Sequence, residues 1–385
     1  MAEPLSAPKS MIPILSAANF VIGMGAFVVV GLLEPLADDL GITPARAGLM
    51  MTVYALAYAI SSPILVAATG RVGRRKILFL GLGVFAVGML GCALSTAEGA
   101  LWLSRIIAAA GAGIFTPVSA AVAAGLSAPE RRASALAAVF FGITLAQVAG
   151  IPVGAFIAYE IGWRPAFWVV LALSVPCLWL VWTRVPRGLQ FQPVALVDLR
   201  RVLKQGPLML AVAFTSVFLG AIYVVYTFMA PVLAAQMGFG STMISLALLI
   251  FGGGAVIGNI VGGALADRIG PERTLMMLCI SQIALMPVFS FLPLALPVVL
   301  GLIIAWSVCG WSFMAPQQAR LISRAPDVAP VVLSLNAAAI YVGAAVGSAL
   351  GGGVLNLAGQ GALGVAGSAV GLLALLTLWV ARPRG

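Results

Sequence analysis

The amino-acid sequence predicts an all-α membrane protein with twelve transmembrane helices in two pseudo-symmetric halves of six. Three observations predict this fold: an apolar composition, twelve long apolar runs and an internal repeat. Of the 385 residues, 62% are hydrophobic and 8% are charged, whereas about a quarter of the residues of a soluble domain are charged. Lipid must therefore cover most of the surface of this chain.

Twelve apolar runs are long enough to cross a bilayer, whose hydrocarbon core of about 30 Å needs about 20 helical residues. The runs divide the chain into a first half (1–183), a polar cytoplasmic linker (184–206) and a second half (207–385). The predicted spans are 12–33, 46–68, 77–95, 100–124, 134–158, 165–182, 207–232, 242–265, 275–292, 297–318, 331–355 and 361–380.

The basic residues predict the orientation of the chain. All but three of the 21 Lys and Arg residues, the exceptions being Arg46, Arg105 and Arg164, lie on the same side as both termini. Loops rich in Lys and Arg stay in the cytoplasm, so the net charge of +10 is a topology signal and nucleic acid is not a predicted partner. Because Arg is far commoner than Lys, as in GC-rich bacterial genomes, we predict a multi-pass protein of the bacterial inner (plasma) membrane with both termini cytoplasmic.

The sequence offers few groups for catalysis. It contains no His, which is the commonest general base and metal ligand. The four cysteines lie in apolar runs without the paired spacing of a metal site. We predict that the protein is not an enzyme and binds no metal and no cofactor. A membrane enzyme is a remote alternative, and a channel is disfavoured because no segment resembles a selectivity filter.

The two halves of the chain repeat each other. The segment Gly70-Arg71-Val72-Gly73 corresponds to Asp267-Arg268-Ile269-Gly270, which lies 197 residues later. The segment Ala128-Pro129-Glu130 corresponds to Ala325-Pro326-Asp327 at the same offset. Two separate loops with one offset indicate a duplicated six-span unit. Parallel six-helix halves with the substrate site between them are one transporter architecture.

Three motifs carry a resemblance to a known family. The segment from Gly263 to Gly270 (GALADRIG) resembles the cytoplasmic signature of the major facilitator superfamily. The segment from Gly150 to Gly154 (GIPVG), followed by Gly162-Trp163-Arg164, resembles the twelve-span drug/proton antiporters, most closely the arabinose-efflux-permease and nucleoside-efflux branch. The resemblance implies the major facilitator fold and transport by alternating access. It also implies a gating role for Arg71, Gly73, Gly150, Pro152, Gly154, Asp267, Arg268 and Gly270.

The sequence departs from the family pattern at two informative places. Gly70 stands where the signature usually has Asp. Ala26 stands where a similar segment of the first span often has Glu. If that Glu couples protons in relatives, this protein must couple them differently or not at all.

The resemblance also implies where the solute binds, because spans 1, 4, 7 and 10 line the cavity of the resembled fold. Polar and aromatic residues in these spans predict a pocket of one amide, several aromatics and one cation. Such a pocket suits a neutral or weakly anionic amphipathic solute. The predicted substrate-binding residues are Asn19, Arg105, Tyr223, Tyr226 and Trp306.

Proton coupling is predicted to involve Arg105 and Glu34. A charged side chain inside a membrane is costly and usually functional, although Arg105 could instead extend to the outer headgroups. No acid lies deep in a span, which leaves Glu34 at the outer end of the first span as the predicted coupling acid, with an ordinary loop acid as the alternative. The candidate counter-ions of Arg105 are Glu34, Asp38, Asp39 and Glu98.

Three stripes of small residues four apart occur in spans 5, 8 and 11. Small residues let helices approach closely in lipid. We predict that the stripes form the surfaces along which the halves rock, with static packing as the alternative. The stripes are Ala146, Gly150 and Gly154; Gly254, Gly258 and Gly262; and Gly343, Gly347 and Gly351.

The sequence therefore predicts a monomeric secondary active transporter that exports a small organic solute (drug-like, nucleoside or sugar) in exchange for protons. Its predicted partners are this solute, the proton as coupling ion and the lipid bilayer. The alternative in the same class is an uncoupled facilitator or an importer of a small organic solute.

Overall fold

The computed structural model describes residues 11–69, 72–127, 132–187 and 202–381, and the regular elements in these segments are all helices. Within these segments, eleven helices are long and apolar enough to cross a membrane, and the number is twelve when one pair of helices, bent by 41°, is taken as a single span. The prediction of an all-α membrane protein with twelve spans is confirmed.

Six spans precede the linker. The span α1 consists of Met11–Phe27 and Val29–Leu40, which meet at the 41° bend. The span α5 consists of Arg132–Leu145, the π-helical turn Ala146–Gly150 and Ile151–Ile161. The continuous helices are α2 (Pro44–Ala68), α3 (Arg74–Leu94), α4 (Glu98–Gly125) and α6 (Trp163–Arg184).

Six spans follow the linker. Residues 188–201 of the linker lie outside the described residues. The span α7 consists of Gly206–Tyr226 and Met229–Met237, and α10 consists of Leu296–Trp311 and Met314–Arg324. The other spans are α8 (Ser241–Ile269), α9 (Pro271–Leu285, extended by the 3₁₀ turn Met286–Phe291), α11 (Ala329–Ala358) and α12 (Leu363–Val380).

Several helices extend beyond the spans predicted from the sequence. Helix α1 continues to Leu40 and α8 continues to Ile269, whereas the predicted spans end at residues 33 and 265. Apolar runs mark only the part of a helix in hydrocarbon. The extra turns carry acids such as Asp39 and Asp267, which headgroups and water tolerate, so hydropathy does not count them.

Prolines explain where several helices break. A proline lacks the N–H that would bond to the carbonyl four residues earlier. Pro231 and Pro316 follow Thr227 and Ser312 by four residues, and α7 and α10 are interrupted at those positions. Because α1 and α7 each begin a half and are both broken, the repeat seen in the sequence is also present in the structure. Interrupted spans in corresponding positions of two repeats are typical of the binding region of a transporter.

Helices α2 and α11 join the two halves near the centre of the bundle. The hydroxyl of Thr52 donates a hydrogen bond to the carbonyl oxygen of Ala345 (3.2 Å). The rings of Tyr58 and Tyr341 stack with their centroids 3.7 Å apart. These residues lie near the middle of their helices, so the contact joins the two halves at mid-height in the bundle.

Helices α5 and α8 join the halves at one end of the bundle. The hydroxyl of Ser241 donates a hydrogen bond to the carboxylate of Glu160. We call this the Glu34 end, because Glu34 lies there, and we call the opposite end, where residues 184–206 connect the halves, the linker end. The two halves are therefore held together at the Glu34 end.

The three stripes of small residues face helices of their own half, which corrects the prediction that they lie between the halves. A side chain at Gly150 would contact Met24 of α1. The stripe of α8 meets α10 at Ser312, and the stripe of α11 meets α7 at Gly220. Small residues allow close approach to any helix, and the spacing alone does not say to which one. In these positions the stripes hold each half together.

Candidate functional site

Arg105 is a fully buried cation in α4. The residue is 0% exposed, and its terminal nitrogens donate hydrogen bonds to the carbonyl oxygens of Gly25 (2.5 Å) and Ala26 (2.8 Å) in α1. Its guanidinium carbon lies 4.2 Å from the centroid of the Tyr54 ring in α2. The side chain of Arg105 therefore points into the first half and does not extend to the headgroups.

The break in α1 explains how this cation is held. The last carbonyls of a helix lack intrahelical donors and form the negative end of the helix dipole. The first segment of α1 ends at Phe27, so Gly25 and Ala26 lie in its last turn and accept from the guanidinium. At Ala26, where similar segments often have Glu, a main-chain oxygen thus contacts Arg105.

The candidate counter-ions of Arg105 are engaged elsewhere. Within the described part of the chain, no acid lies within ion-pair distance of Arg105. Asp38 is exposed. The other three acids have partners at the Glu34 end: Tyr159 with Glu34 (2.7 Å), Arg164 with Asp39 (2.8 Å) and Arg46 with Glu98 (2.8 Å).

The segment Gly162-Trp163-Arg164 ties three helices together at the Glu34 end. Gly162 joins α5 to α6 with a φ of 100°, a conformation that favours glycine. The indole N–H of Trp163 donates to Asp39 of α1 (3.0 Å), and the Nε of Arg164 donates to the carbonyl oxygen of Ser95 after α3 (3.1 Å). These contacts give the motif a structural role beside α1.

In the second half, aromatic rings form a continuous chain between α7, α8, α9 and α10. Tyr223 and Tyr226 meet edge to face at 5.7 Å, and Tyr226 stacks on Phe251 at 4.2 Å. Trp306 follows at 5.2 Å from Phe251 and touches Phe289 at 5.0 Å. The structure therefore brings three predicted residues, Tyr223, Tyr226 and Trp306, together through Phe251.

Four residues around Arg105 and in the aromatic chain of the second half were not predicted as site residues from the sequence: Tyr54, Phe251, Gln282 and Phe289. Gln282 accepts a hydrogen bond from the indole of Trp306 (2.6 Å), and an amide in an apolar run was a usable signal for it. The phenylalanines carried no signal, because Phe is common in lipid-facing helices. Among the described residues, the hydroxyl of Tyr54 and the Nε of Arg105 are buried without a hydrogen-bond partner.

Asn19 lies apart from the other predicted binding residues. Its amide donates to the carbonyl oxygen of Leu15 (2.9 Å) and to the hydroxyl of Ser119 (2.9 Å), which joins α1 to α4. It precedes Gly25 by six residues, about 9 Å along a helix. The structure places Asn19 closer to the linker end than Arg105.

The gating candidates of α5 pack around the break in α1. Pro152 is the second residue of the last segment of α5, and its missing N–H fits the π-helical turn before it. A side chain at Gly150 would contact Met24, and one at Gly154 would overlap Val28. Small residues in α5 therefore allow close packing on the part of α1 whose carbonyls hold Arg105.

The other gating candidates lie at the linker end. Asp267 and Arg268 are exposed in the last turn of α8. Gly270 has a φ of 88°, so the tight turn into α9 requires a residue without a side chain. Gly73 directly precedes α3, and Arg71 lies outside the described residues. A gating role for these residues stays a prediction.

Comparisons with known proteins agree with this architecture. The chain matches the Major Facilitator Superfamily over residues 15–338. It is 30% identical over 377 residues to the uncharacterized MFS-type transporter YbcL of Bacillus subtilis, covering 96% of each protein. It is 31% identical over 343 residues to a chloramphenicol resistance protein of Streptomyces lividans, covering 87% of this chain and 86% of that protein.

A solved structure shows the same fold. The crystal structure of a bacterial homolog to the human lysosomal transporter Spinster, in an inward-facing and occupied conformation, aligns with a TM-score of 0.77. The alignment covers 99% of this chain and 97% of that one at 15% identity. The relatives are transporters and not enzymes. The chain belongs to the Major Facilitator Superfamily and is a multi-pass membrane transporter of a small solute.

Proposed function

We propose that this transporter exports a small, amphipathic, drug-like organic solute from a bacterial cell by alternating access, in exchange for protons. The observation that carries the proposal is the buried guanidinium of Arg105, which has no acid partner among the described residues and lies on Tyr54. The similarity to a chloramphenicol resistance protein supports export of a drug-like molecule.

The two halves offer different chemistry to such a solute. In the first half, the unpartnered Nε of Arg105 and hydroxyl of Tyr54 suit a carbonyl, nitro or carboxylate oxygen, because buried polar groups bind best when a ligand satisfies them. In the second half, the rings of Tyr226, Phe251 and Trp306 suit an aromatic or apolar group. A solute held by both halves favours the arrangement in which they approach each other.

The structure suits loading from the linker end. The halves are joined at the Glu34 end by Ser241 and Glu160 and near the centre by Tyr58 and Tyr341. With the linker in the cytoplasm, this arrangement is closed to the outside. Export then requires the halves to separate at the Glu34 end, which breaks the hydrogen bond between Ser241 and Glu160.

The substrate class is tested by thermal unfolding of the purified protein with nucleosides, sugars and amphipathic antibiotics that include chloramphenicol. A ligand that binds only the folded protein raises its unfolding temperature. We expect antibiotics to stabilise the wild-type protein and to stabilise Tyr54→Phe less. Stabilisation by sugars or nucleosides alone would show that the solute is not drug-like.

For proton coupling, we expect Glu34→Gln to abolish efflux driven by an imposed pH gradient and to spare downhill exchange. The Glu34 carboxylate is partly buried and accepts a hydrogen bond from Tyr159, whereas an amide cannot exchange a proton. Substrate accumulation in proteoliposomes measures the effect, with the exposed Asp38→Asn on the same helix as control. Full pH-driven accumulation by Glu34→Gln would remove Glu34 from the mechanism.

An uncoupled facilitator is the second candidate function. It is favoured by Ala26, which replaces a frequent Glu of similar segments, and by the lack of a described acid beside Arg105. Solute accumulation in the same proteoliposomes distinguishes a proton-coupled exporter from an uncoupled facilitator. A facilitator equilibrates the solute in both directions, and the pH gradient then produces no accumulation even in the wild-type protein.

The proposed orientation places both termini and the linker end in the cytoplasm. In a background without the four native cysteines, we expect Gln205→Cys to be labelled only from the cytoplasm and Gly240→Cys only from outside. Both positions are exposed, at the linker end and the Glu34 end respectively. An impermeant thiol reagent on intact and opened cells measures this. Labelling of position 205 in intact cells would show that the orientation of the chain is the reverse of the one proposed.

A further inference from the structure

We propose that a phospholipid of the surrounding bilayer binds in a lateral cavity at the Glu34 end. Its phosphate would contact Arg46, Trp102 and Asn356, and one of its acyl chains would lie along the groove between α2 and α11. This site is separate from the proposed solute site, and its occupation does not depend on which solute is carried.

The cavity has a volume of about 340 Å³ and lies between α2, α4 and α11. This size is within the range of small-ligand sites, which begins at about 300 Å³. Its walls come from both halves of the protein. The first half contributes Thr43, Arg46, Leu49 and Trp102, and α11 of the second half contributes Gly353 and Asn356.

Three of the side chains that line the cavity, Arg46, Trp102 and Asn356, carry hydrogen-bond donors. The indole Nε1 of Trp102 is buried without a hydrogen-bond partner among the described residues, and an indole nitrogen can only donate. Arg46 binds Glu98 through its Nε (2.8 Å), and its side chain is 58% exposed, so its terminal nitrogens are available to a ligand. Asn356 adds an amide. A phosphate, with several acceptor oxygens, matches a guanidinium and an N–H donor.

The apolar wall continues from the cavity toward the centre of the bilayer. Helical residues about seven apart share one face, so the face of α2 at Leu49 and the face of α11 at Gly353 each extend into an apolar stripe. A side chain at Gly353 would meet nothing within 4 Å, which leaves room for a chain to pass. The exposed stripe residues are Leu56 (49%), Ile60 (55%), Val342 (37%) and Val346 (51%).

A cavity with polar side chains in its wall, next to the exposed apolar stripes of α2 and α11, matches an amphipathic molecule from the membrane. A free phosphate ion would use the donors of Arg46 and Trp102 and leave the groove between α2 and α11 empty. The chemistry of the whole site therefore selects a phospholipid over a soluble anion. Because the walls belong to both halves, a bound phospholipid joins them at the end where they are already closed.

Native mass spectrometry of the full chain released from phospholipid nanodiscs tests the proposal. We expect one phospholipid to stay bound to the wild-type protein. Trp102→Phe removes an N–H donor and Arg46→Gln removes the positive charge. We expect each variant to lower retention about tenfold, as for loss of a hydrogen bond to a charged group. The matched controls are Trp179→Phe on the lipid-facing side of α6 and Arg75→Gln at the linker end, and both should retain lipid as the wild type does.

Further measurements distinguish a bound phospholipid from a bound anion, and a lost binding site from a misfolded protein. Millimolar inorganic phosphate should leave the bound phospholipid in place, and Gly353→Leu, which fills the mouth of the groove, should lower retention without removing a polar group. Trp102→Phe keeps an aromatic ring, a smaller one, at a partly buried position, so its unfolding temperature should stay close to that of the wild type. Equal lipid retention by Trp102→Phe, Arg46→Gln and the controls would overturn the proposal, as would displacement of the lipid by phosphate.

Discussion

Arg105→Ala is expected to abolish transport while leaving a folded protein in the membrane. The guanidinium donates two charge-assisted hydrogen bonds to Gly25 and Ala26 and lies on Tyr54. Hydrogen bonds to charged groups contribute about 1.5–3 kcal/mol each, and 1.4 kcal/mol is a factor of ten. If part of this interaction is redirected to the solute during transport, the loss should be about 100-fold or more in initial rate.

Stability should change little in Arg105→Ala, because two effects oppose each other. Truncation removes a buried cation, which is costly in a membrane, but it leaves the carbonyls of Gly25 and Ala26 without donors. Arg105→Lys keeps the charge but lacks the planar fork of donors, so its transport rate should be intermediate. The control is Arg75→Ala, which removes a cation that lies over Trp182 in the first half. Near-normal transport by well-expressed Arg105→Ala would show that the residue only packs.

Gly262→Val is expected to destabilise the second half of the protein strongly. A Cβ at Gly262 would overlap the carbonyl oxygen of Ser312, at the break in α10. The Ser312 hydroxyl in turn donates to the carbonyl oxygen of Gly258 (2.8 Å), so the two backbones cannot separate without losing this bond. Overpacking costs about 1–3 kcal/mol and occasionally more. We expect a value at the upper end, because the obstacle is main chain.

The control for this prediction lies nine residues earlier on the same helix. A side chain at Gly253 would meet nothing within 4 Å, so Gly253→Val should unfold near the wild-type temperature. Thermal unfolding and the yield of monodisperse protein measure both variants. If Gly262→Val is as stable as Gly253→Val but transports slowly, the stripe of α8 acts in movement between states and not in packing within the half.

The sequence predicted the helices because helix formation depends on neighbouring residues, and it predicted their duplication because two loop segments recur at one offset of 197 residues. In lipid, the backbone must satisfy its hydrogen bonds within each segment, so a long apolar run is sufficient to predict a helix. The interruptions of the helices were harder to predict from the sequence. Pro231 and Pro316 mark those in α7 and α10, whereas the bend of α1 at Val28 has no proline at the required position and is seen only in the structure.

The candidate site was predictable only in part. Arg105 stands out in the sequence because a cation in an apolar run is rare, and Tyr223, Tyr226 and Trp306 stand out as polar-edged aromatics. Phe251, which connects these three rings, does not differ from any other Phe of a span. Residue type therefore identified the unusual residues of the candidate site, and it did not identify the phenylalanine that connects three of them.

The sequence by itself determined the fold class, the two six-span halves and the family, because composition, runs and motifs are properties of consecutive residues. Only the tertiary structure decided what holds the charge of Arg105 and which helix each glycine stripe faces. Arg105 and its acceptor Gly25 are 80 residues apart, and the acceptor exists because α1 breaks beside it. Contacts of this kind depend on how the helices pack, and helices with similar apolar surfaces pack according to the fit of side chains on several neighbours at once.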